Sequence, residues 1–333
     1  MNVEKILSEL KKGQFKPVYW LEGEEEYFID QVINYAEHQI LSDAEAGFNL
    51  SIFYGKDTSW SDLLNSCRKY PMFSDKQVVI LKEAQGMKDV DKLEGYIDKP
   101  LSSTLLFVAY KNKKVDGRTK LAKLLKDKAV VLTTKKLYDN ELPQWTTQLL
   151  KSKGFTITNK ALTLLIDHIG NDLSRLNNEI NKLVLNLGER TNITDDDIEQ
   201  FVGVSKEFNV FELQQAIATR DLYKAVRIIQ YFDANPKAAP IQLIFPSLYN
   251  FFSKVIMVYG VPARDEKAIA AAIGVHSYFA KDYIQAATRF SHHEVEKVIL
   301  LLHQYNLRGL GVNDAGSSDA MLLKEMVVKM IAA

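Results

Sequence analysis

The first 138 residues alternate short, continuous apolar runs with segments whose apolar positions recur every three or four residues. Val18-Tyr19-Trp20-Leu21, Leu50-Ser51-Ile52-Phe53, Val78-Val79-Ile80-Leu81, Leu105-Leu106-Phe107-Val108-Ala109 and Val130-Val131-Leu132 predict five strands. Between them, the stripe Phe28, Ile29, Val32, Ile33, Ala36 and Ile40 predicts a helix. Ser59 caps another that carries Leu63 and Leu64, and shorter helices fall at 90–97 and 120–125. Strand and helix in alternation imply a parallel sheet with helices on both faces. Strands that are apolar throughout imply burial on both sides.

After Tyr138 the strand pattern nearly vanishes. Thr158 opens a helix bearing Leu162, Leu165, Ile166 and Ile169. Asn171 or Asp172 caps the next, whose stripe is Leu173, Leu176, Ile180, Leu183, Val184 and Leu187, with a stop at Gly188. Thr194 with Asp197 caps a helix over 195–202. The polar Ser205-Lys206-Glu207 marks a boundary. Beyond it, Asn209 with Glu212 forms a variant capping box, and Phe208 with Leu213 a hydrophobic staple. Helices follow at 210–219, 222–232, 240–259, 266–273, 278–289, 293–308 and 320–332, and 309–318 is the most loop-like stretch. The predicted class is α/β plus all-α, with domains at 1–138, 139–206 and 207–333.

Composition narrows the function. Of 333 residues, 47% are hydrophobic and 25% charged, a globular profile. Lys+Arg and Asp+Glu are both 42, which argues against a general polyanion binder and leaves room only for a local basic patch. Cys67 is the single cysteine, so neither an internal disulfide nor a cysteine zinc site can form, and a reducing cytoplasm fits. The amino terminus lacks the basic and apolar regions of a signal peptide. The most apolar region, 241–259, is interrupted by Pro246, Asn250, Ser253 and Lys254; it reads as a buried helix, and no membrane association is expected.

In an α/β domain of this kind, ligand chemistry sits at the carboxyl ends of the strands. A phosphate loop in the first strand-to-helix turn needs glycines, a lysine and a hydroxyl. The turn here reads Glu22-Gly23-Glu24-Glu25-Glu26-Tyr27. Its glutamates either favour the helix start or repel an anion, and both readings remove an ATP site. After the third strand, Lys82 stands where an ATPase places its magnesium-side acid. The six histidines, His38, His168, His276, His292, His293 and His303, show no metalloprotease spacing, and Cys67 reads as a buried, inert thiol. No catalytic, cofactor or metal site is expected.

Two features point to contacts instead. The stretch 111–128 holds Lys111, Lys113, Lys114, Arg118, Lys120, Lys123, Lys126 and Lys128 against Asp116 and Asp127. It reads first as a solvated helix face, and second as a surface for phosphate or an acidic partner, with Lys111, Lys113, Lys114 and Arg118 the candidate contacts. The loop Tyr70-Pro71-Met72-Phe73-Ser74-Asp75 places two large apolar side chains between polar residues. They are either tucked into their own core or offered to a partner.

Four stretches then carry a resemblance: Pro17 to Glu25, Pro71 to Val79, Gly170 to Leu183 and Phe208 to Leu213. In that order, and without a phosphate loop, the chain resembles the delta subunit of the bacterial DNA polymerase III clamp loader along essentially its whole length. The resemblance implies an AAA+-like parallel five-stranded α/β domain without functional Walker motifs at 1–138. It further implies a helical lid domain at 139–206 and a helical collar for oligomerisation at 207–333. The implied function is DNA replication, by binding and opening the sliding clamp (the beta subunit) for loading onto primed DNA. The implied partners are that clamp, the clamp-loader ATPase subunits, the delta-prime subunit and primed DNA. Catalysis by the chain itself is not implied, although the holoenzyme is a nucleotidyltransferase. Met72 and Phe73 match the hydrophobic pair that plugs a pocket on the clamp. The family commonly has leucine where Met72 stands, and methionine fills a similar volume. Phe245, Phe251, Phe252, Ile256 and Met257 exceed the apolar needs of one small domain and point to packing against related subunits in a ring. The alternative is a DNA-binding regulator, in which 268–286, with Ala270 and Gly274 at helix-turn-helix offsets, reads DNA.

Overall fold

The computed structural model describes residues 2–205, 207–236, 239–262, 265–275, 277–314 and 316–333, without the Tyr278 side chain. Lys206 and His276 lie outside the described residues. The chain divides into two compact units, Met1–Leu137 and Tyr138–Ala333.

The first unit runs α1 (Val3–Lys11), β1 (Val18–Gly23), α2 (Glu26–His38), α3 (Asp43–Asn49), β2 (Leu50–Tyr54), α4 (Trp60–Cys67), β3 (Gln77–Lys82), α5 (Glu94–Asp98), β4 (Thr104–Lys111), α6 (Lys120–Lys128) and β5 (Val130–Thr134). All strand pairings are parallel, in the order β2-β3-β4-β1-β5. Alternation along each strand separates two cores. Tyr19, Leu21, Ile80 and Phe107 face Ile6, Leu10, Ile29 and Val32, and the Tyr19 and Phe107 rings stack at 4.4 Å. Val18, Trp20, Val79 and Leu106 face Leu63, Tyr96, Ile97 and Leu121. Burial on both faces holds for β1 and β3 along nearly their whole length and for most of β4. It fails for β2 and β5, because an edge strand has a neighbour on one side only: Ile52 and Tyr54 are exposed. Ser59 caps α4 by accepting from the Asp62 N–H at 3.2 Å. The helix expected at 90–97 is a 3-10 turn, Val90–Leu93, that continues into α5.

The second unit runs α7 (Leu142–Ser152), β6 (Thr156–Ile157), α8 (Asn159–Ile169), α9 (Leu173–Asn186), β7 (Asn192–Ile193), α10 (Asp195–Asp197), α11 (Val210–Ala218), α12 (Leu222–Ala234), α13 (Ile241–Tyr259), α14 (Glu266–Ile273), α15 (Ala280–Arg289), α16 (His292–Gly309) and α17 (Asp319–Ala332). Asp172, rather than Asn171, caps α9, accepting from the Arg175 N–H at 2.9 Å. The helix expected over 195–202 is α-helical only through α10 and continues as a π-type turn, Ile198–Val202. Parallel pairing of β6 with β7 ties the ends of the α8–α9 pair together. Asn209 caps α11 as expected, accepting from the Glu212 N–H at 2.9 Å, whereas Glu212 turns to Lys224 instead of closing the box.

In the seven helices from α11 onward, α13 packs on α11, α14, α15 and α16, while α12 packs on α17. By length and composition α13 could cross a membrane, with a mean hydropathy of 1.4. Here it is a core helix whose Ile244, Leu248, Phe252 and Val255 are fully buried. That arrangement corrects one expectation. Phe245, Phe251 and Phe252 lie inside the unit's own core and Ile256 is half-buried against it, so only Met257 of the five is offered outward. Their spacing is the stripe that faces neighbouring helices, and it does not distinguish an internal neighbour from an external one. The stretch after α16 is ordered by Asp314, whose carboxylate accepts from the Gly316 and Ser317 N–H groups and from Arg308. The architecture is the expected α/β plus all-α class, with a parallel five-stranded sheet.

Candidate functional site

The carboxyl end of β1 lies between β4 and β5. Instead of a phosphate, this mouth holds the chain's own groups. Glu22 is buried, and its Oε2 accepts from Trp20 Nε1 at 3.1 Å and from the Val115 N–H at 3.0 Å. Thr133 Oγ1 donates to the other oxygen at 3.3 Å. Glu25 caps α2, accepting from the Tyr27 N–H at 3.2 Å. The segment after β4 folds over the turn: Gly23 N–H donates to the Lys113 carbonyl at 3.1 Å and Asn112 N–H to the Gly23 carbonyl at 2.8 Å. Asn112 Nδ2 donates to Glu26 at 2.7 Å. The turn's N–H groups at Gly23, Glu24, Glu25 and Tyr27 thus go to the Lys113 carbonyl, the Thr134 carbonyl, the Thr134 hydroxyl and the Glu25 carboxylate. After β3, Lys82 forms an ion pair with Glu37 at 2.6 Å.

Lys111, a candidate phosphate contact, is mostly buried and lies 3.1 Å from Glu26 and 2.8 Å from Asp30. Burial works to lower the Lys111 pKa, but Asp30 and Glu26 outweigh it and hold the ammonium above its ordinary range. Glu26 is correspondingly held below the ordinary carboxylate range: burial opposes ionisation, and Asn112 and Lys111 more than offset it. Lys113 and Lys114 are exposed. Arg118 is exposed and chelates Asp116, with Nη2 at 2.7 Å from Oδ2. Of the four candidates, Lys113 and Lys114 are therefore exposed with no ion pair among the described residues, as expected of a solvated face, Lys111 belongs to the filled mouth, and Arg118 has a carboxylate of its own.

The loop between α4 and β3 is different. Tyr70 is 77% exposed, Met72 53% and Phe73 93%, so the apolar pair is not in the sheet's core. Phe73 has φ +55°, a left-handed conformation that costs a side-chain-bearing residue roughly 1–2 kcal/mol. The loop is nevertheless held. At its base the buried Gln77 side chain donates to the Lys69 carbonyl and to Thr104 Oγ1. Near its tip Asn49 Oδ1 accepts from the Met72 N–H at 2.7 Å, and Asn49 Nδ2 donates to the Met72 carbonyl at 2.8 Å. Ser74 Oγ donates to Glu45 Oε1 at 2.8 Å. Sequence reasoning singled out Met72 and Phe73 and missed Asn49. An asparagine ending a short helix resembles any helix terminus, and its partner lies 23 positions away.

The remaining candidates are not assembled into chemistry. Burial pushes the Cys67 thiol up to about 12. His292 and His293 face Glu296 at 3.5 and 3.4 Å on an exposed helix start. Among the described residues no group of His, Cys, Asp or Glu is arranged to hold a metal ion. The helix-turn-helix candidate exists in outline as α14, Gly274 at φ +67° and α15. However, α15 packs on α11 and α13 with Ala286 in their shared core, and its basic residues are Lys281 and Arg289 alone.

Comparisons with known proteins point to one family. A family profile for the DNA polymerase III delta subunit matches residues 19–135, and one for the C-terminal domain of that subunit matches residues 207–308. The DNA polymerase III subunit delta of Bacillus subtilis (strain 168) is 28% identical over 335 residues, covering 96% of this chain and 94% of that protein. A probable DNA polymerase III subunit delta of Aquifex aeolicus (strain VF5) is 22% identical over 224 residues, covering 64% of this chain and 62% of its own. The solved structure of the Bacillus subtilis DNA clamp loader delta protein (YqeN) superposes with a TM-score of 0.59 at 27% identity, covering 99% of this chain and all of the other. With two profiles of one family spanning well over half of its residues, and relatives of the same kind along its full length, this chain belongs to the DNA polymerase III delta-subunit family.

Proposed function

We propose that the chain is the clamp-contacting subunit of a bacterial clamp loader, acting in DNA replication in the cytoplasm. Met72 and Phe73 enter a hydrophobic pocket on the ring-shaped sliding clamp and favour its open form. A partner can shift such an equilibrium only through differential affinity, so the wedge binds the open interface more tightly than the closed one. Residues 139–206 serve as the lid and 207–333 as the collar that joins the ATPase and delta-prime subunits. Loading onto primed DNA takes place within that complex. Lys113 and Lys114, exposed on the 111–118 segment, serve a phosphate or acidic partner contact. The chain itself turns over no nucleotide.

The exposure of Phe73 at 93%, on a loop tied down at both base and tip, is the observation that carries this reading. An exposed phenylalanine gains nothing for the fold, whereas burying it with a methionine in a partner's pocket contributes roughly 1.5–3 kcal/mol per side chain.

The test is Met72→Ala with Phe73→Ala in the full chain, measured by surface plasmon resonance on immobilised sliding clamp. Losing both anchors should weaken binding by about 100-fold or more. The melting temperature should barely move, since exposed substitutions usually change stability by less than about 0.5 kcal/mol. Parental affinity in a folded double variant would remove the wedge.

A further inference from the structure

Helix α3 has no evident reason to exist as a core element. It spans only Asp43–Asn49, and Asn49 is its one buried residue. Two of its polar side chains, Asn49 and Glu45, nevertheless reach the loop that carries Met72 and Phe73. The Asn49 Oδ1 accepts from the Met72 N–H at 2.7 Å, and one Nδ2 proton is donated to the Met72 carbonyl at 2.8 Å. The second Nδ2 proton is donated to the Glu45 carbonyl at 3.1 Å, which ties the amide to its own helix. Glu45 divides its carboxylate. Oε2 accepts from the Ser42 N–H at 3.0 Å and the Ser42 hydroxyl at 2.7 Å, fixing the start of α3. Oε1 accepts from Ser74 Oγ at 2.8 Å.

The residue before Phe73 and the residue after it are therefore both tied to the same short helix. Phe73 itself stands between the two struts, left-handed at φ +55° and almost wholly in solvent. A strained conformation at an exposed residue persists only where its surroundings impose it. Here the surroundings are Asn49 and Glu45. An untied loop would relax Phe73 into ordinary backbone space and let it search many directions, and ordering it on contact would then cost affinity.

We propose that Asn49, with Glu45 behind it, is a positioning residue that holds the Met72–Phe73 wedge in its binding geometry before the clamp arrives. The inference rests on the reading of Met72 and Phe73 as the wedge, and adds that α3 preorganises it. Pairing both polar groups of one peptide with one amide side chain demands asparagine. Aspartate keeps the acceptor but sets a carboxylate against the Met72 carbonyl, and alanine supplies neither group.

Two measurements on the full chain separate the clasp from the wedge. Hydrogen–deuterium exchange over residues 70–76 needs no partner. Asn49→Ala should raise exchange at the Met72 N–H about tenfold, the loss expected for one protecting hydrogen bond. Ser74→Ala, a more peripheral change, should act in the same direction to a smaller extent, and it decides the matter if Asn49→Ala does not fold. Surface plasmon resonance on the sliding clamp should then show both variants associating several-fold more slowly, with dissociation much less affected, because preorganisation acts before contact. Asn49→Asp should not restore the parental association rate. Unchanged exchange and association in the folded variants would overturn the clasp while leaving the wedge intact. Clamp binding that survives Phe73→Ala would overturn the wedge, with the exchange experiment still reporting on the clasp.

Discussion

Gly23 ends β1 at φ +125°, and a Cβ built there would come within 2.2 Å of the Thr134 carbonyl oxygen. Both the conformation and the close approach of β5 require glycine. Gly23→Ala should therefore cost on the order of 1–3 kcal/mol or more, read as a lower urea midpoint with an unchanged slope. In the turn that follows, Glu25 occupies the Tyr27 N–H at the start of α2, the kind of donor an ATP-binding protein turns to phosphate. Calorimetry with magnesium-ATP should accordingly detect no binding by the chain alone, and micromolar affinity would refute the reading of a filled mouth. Cys67 supplies a third check at this scale. Its thiol is buried and pushed up to about 12, so a thiol reagent at pH 8 should label it only at the rate at which the first unit opens. Lys111 shows what local reading misses. Next to Lys113 and Lys114 in sequence it looks like one more surface cation, yet Glu26 and Asp30 of α2 claim it, from far upstream in the chain.

Elements were most legible where capping residues and stripes coincide. Ser59, Thr158, Asp172 and Asn209 all accept from the backbone of the helices they open. Asp172→Ala should cost about 1 kcal/mol, visible as a lower melting temperature. Helix α3 escaped notice because Asn49 is its one buried residue, which leaves no apolar period, whereas α1 repeats Val3, Ile6, Leu7 and Leu10 at helical spacing and was missed although legible. The β6–β7 pair escaped because two residues cannot display alternation. Helix α13 continues unbroken through Pro246, an exposed position in its second turn. Proline there removes an intrahelical hydrogen bond and is worse than alanine by up to about 3 kcal/mol. Pro246→Ala should thus raise the melting temperature. A lower one would mean that the ring's packing outweighs the missing bond.

At the scale of the whole molecule, the carboxyl-terminal helices are knitted by carboxylates held far below their ordinary range. Glu294 is brought to about 2 by the Ser291 backbone and hydroxyl and by Arg220. Asp314 is brought to about 2 by the Ser317 N–H and Arg308, and Glu325 to about 2 by Lys329, Tyr305 and Arg308. Because the folded values lie below the unfolded ones, the unfolded chain binds more protons between pH ~4.5 and ~2. The stability these groups contribute is complete above that window and is lost as the pH falls through it. Helical circular dichroism during thermal melts from pH 7 to pH 2 should show this decline, and Glu325→Gln should flatten it. The proposed collar makes a separate demand: the full chain should co-elute with clamp-loader ATPase subunits in gel filtration, and persistent separation would dismiss it. Apolar periodicity, caps and turn residues act over a few positions, so the sequence by itself determined the alternation of five strands with helices, the mainly helical remainder and the loss of a phosphate loop. It also located the Met72–Phe73 loop. Burial and pairing depend instead on which distant segments become neighbours. Only the tertiary structure decided that Phe73 points into solvent, that Asn49 holds Met72, that α2 claims Lys111, and that the phenylalanines of α13 face their own core.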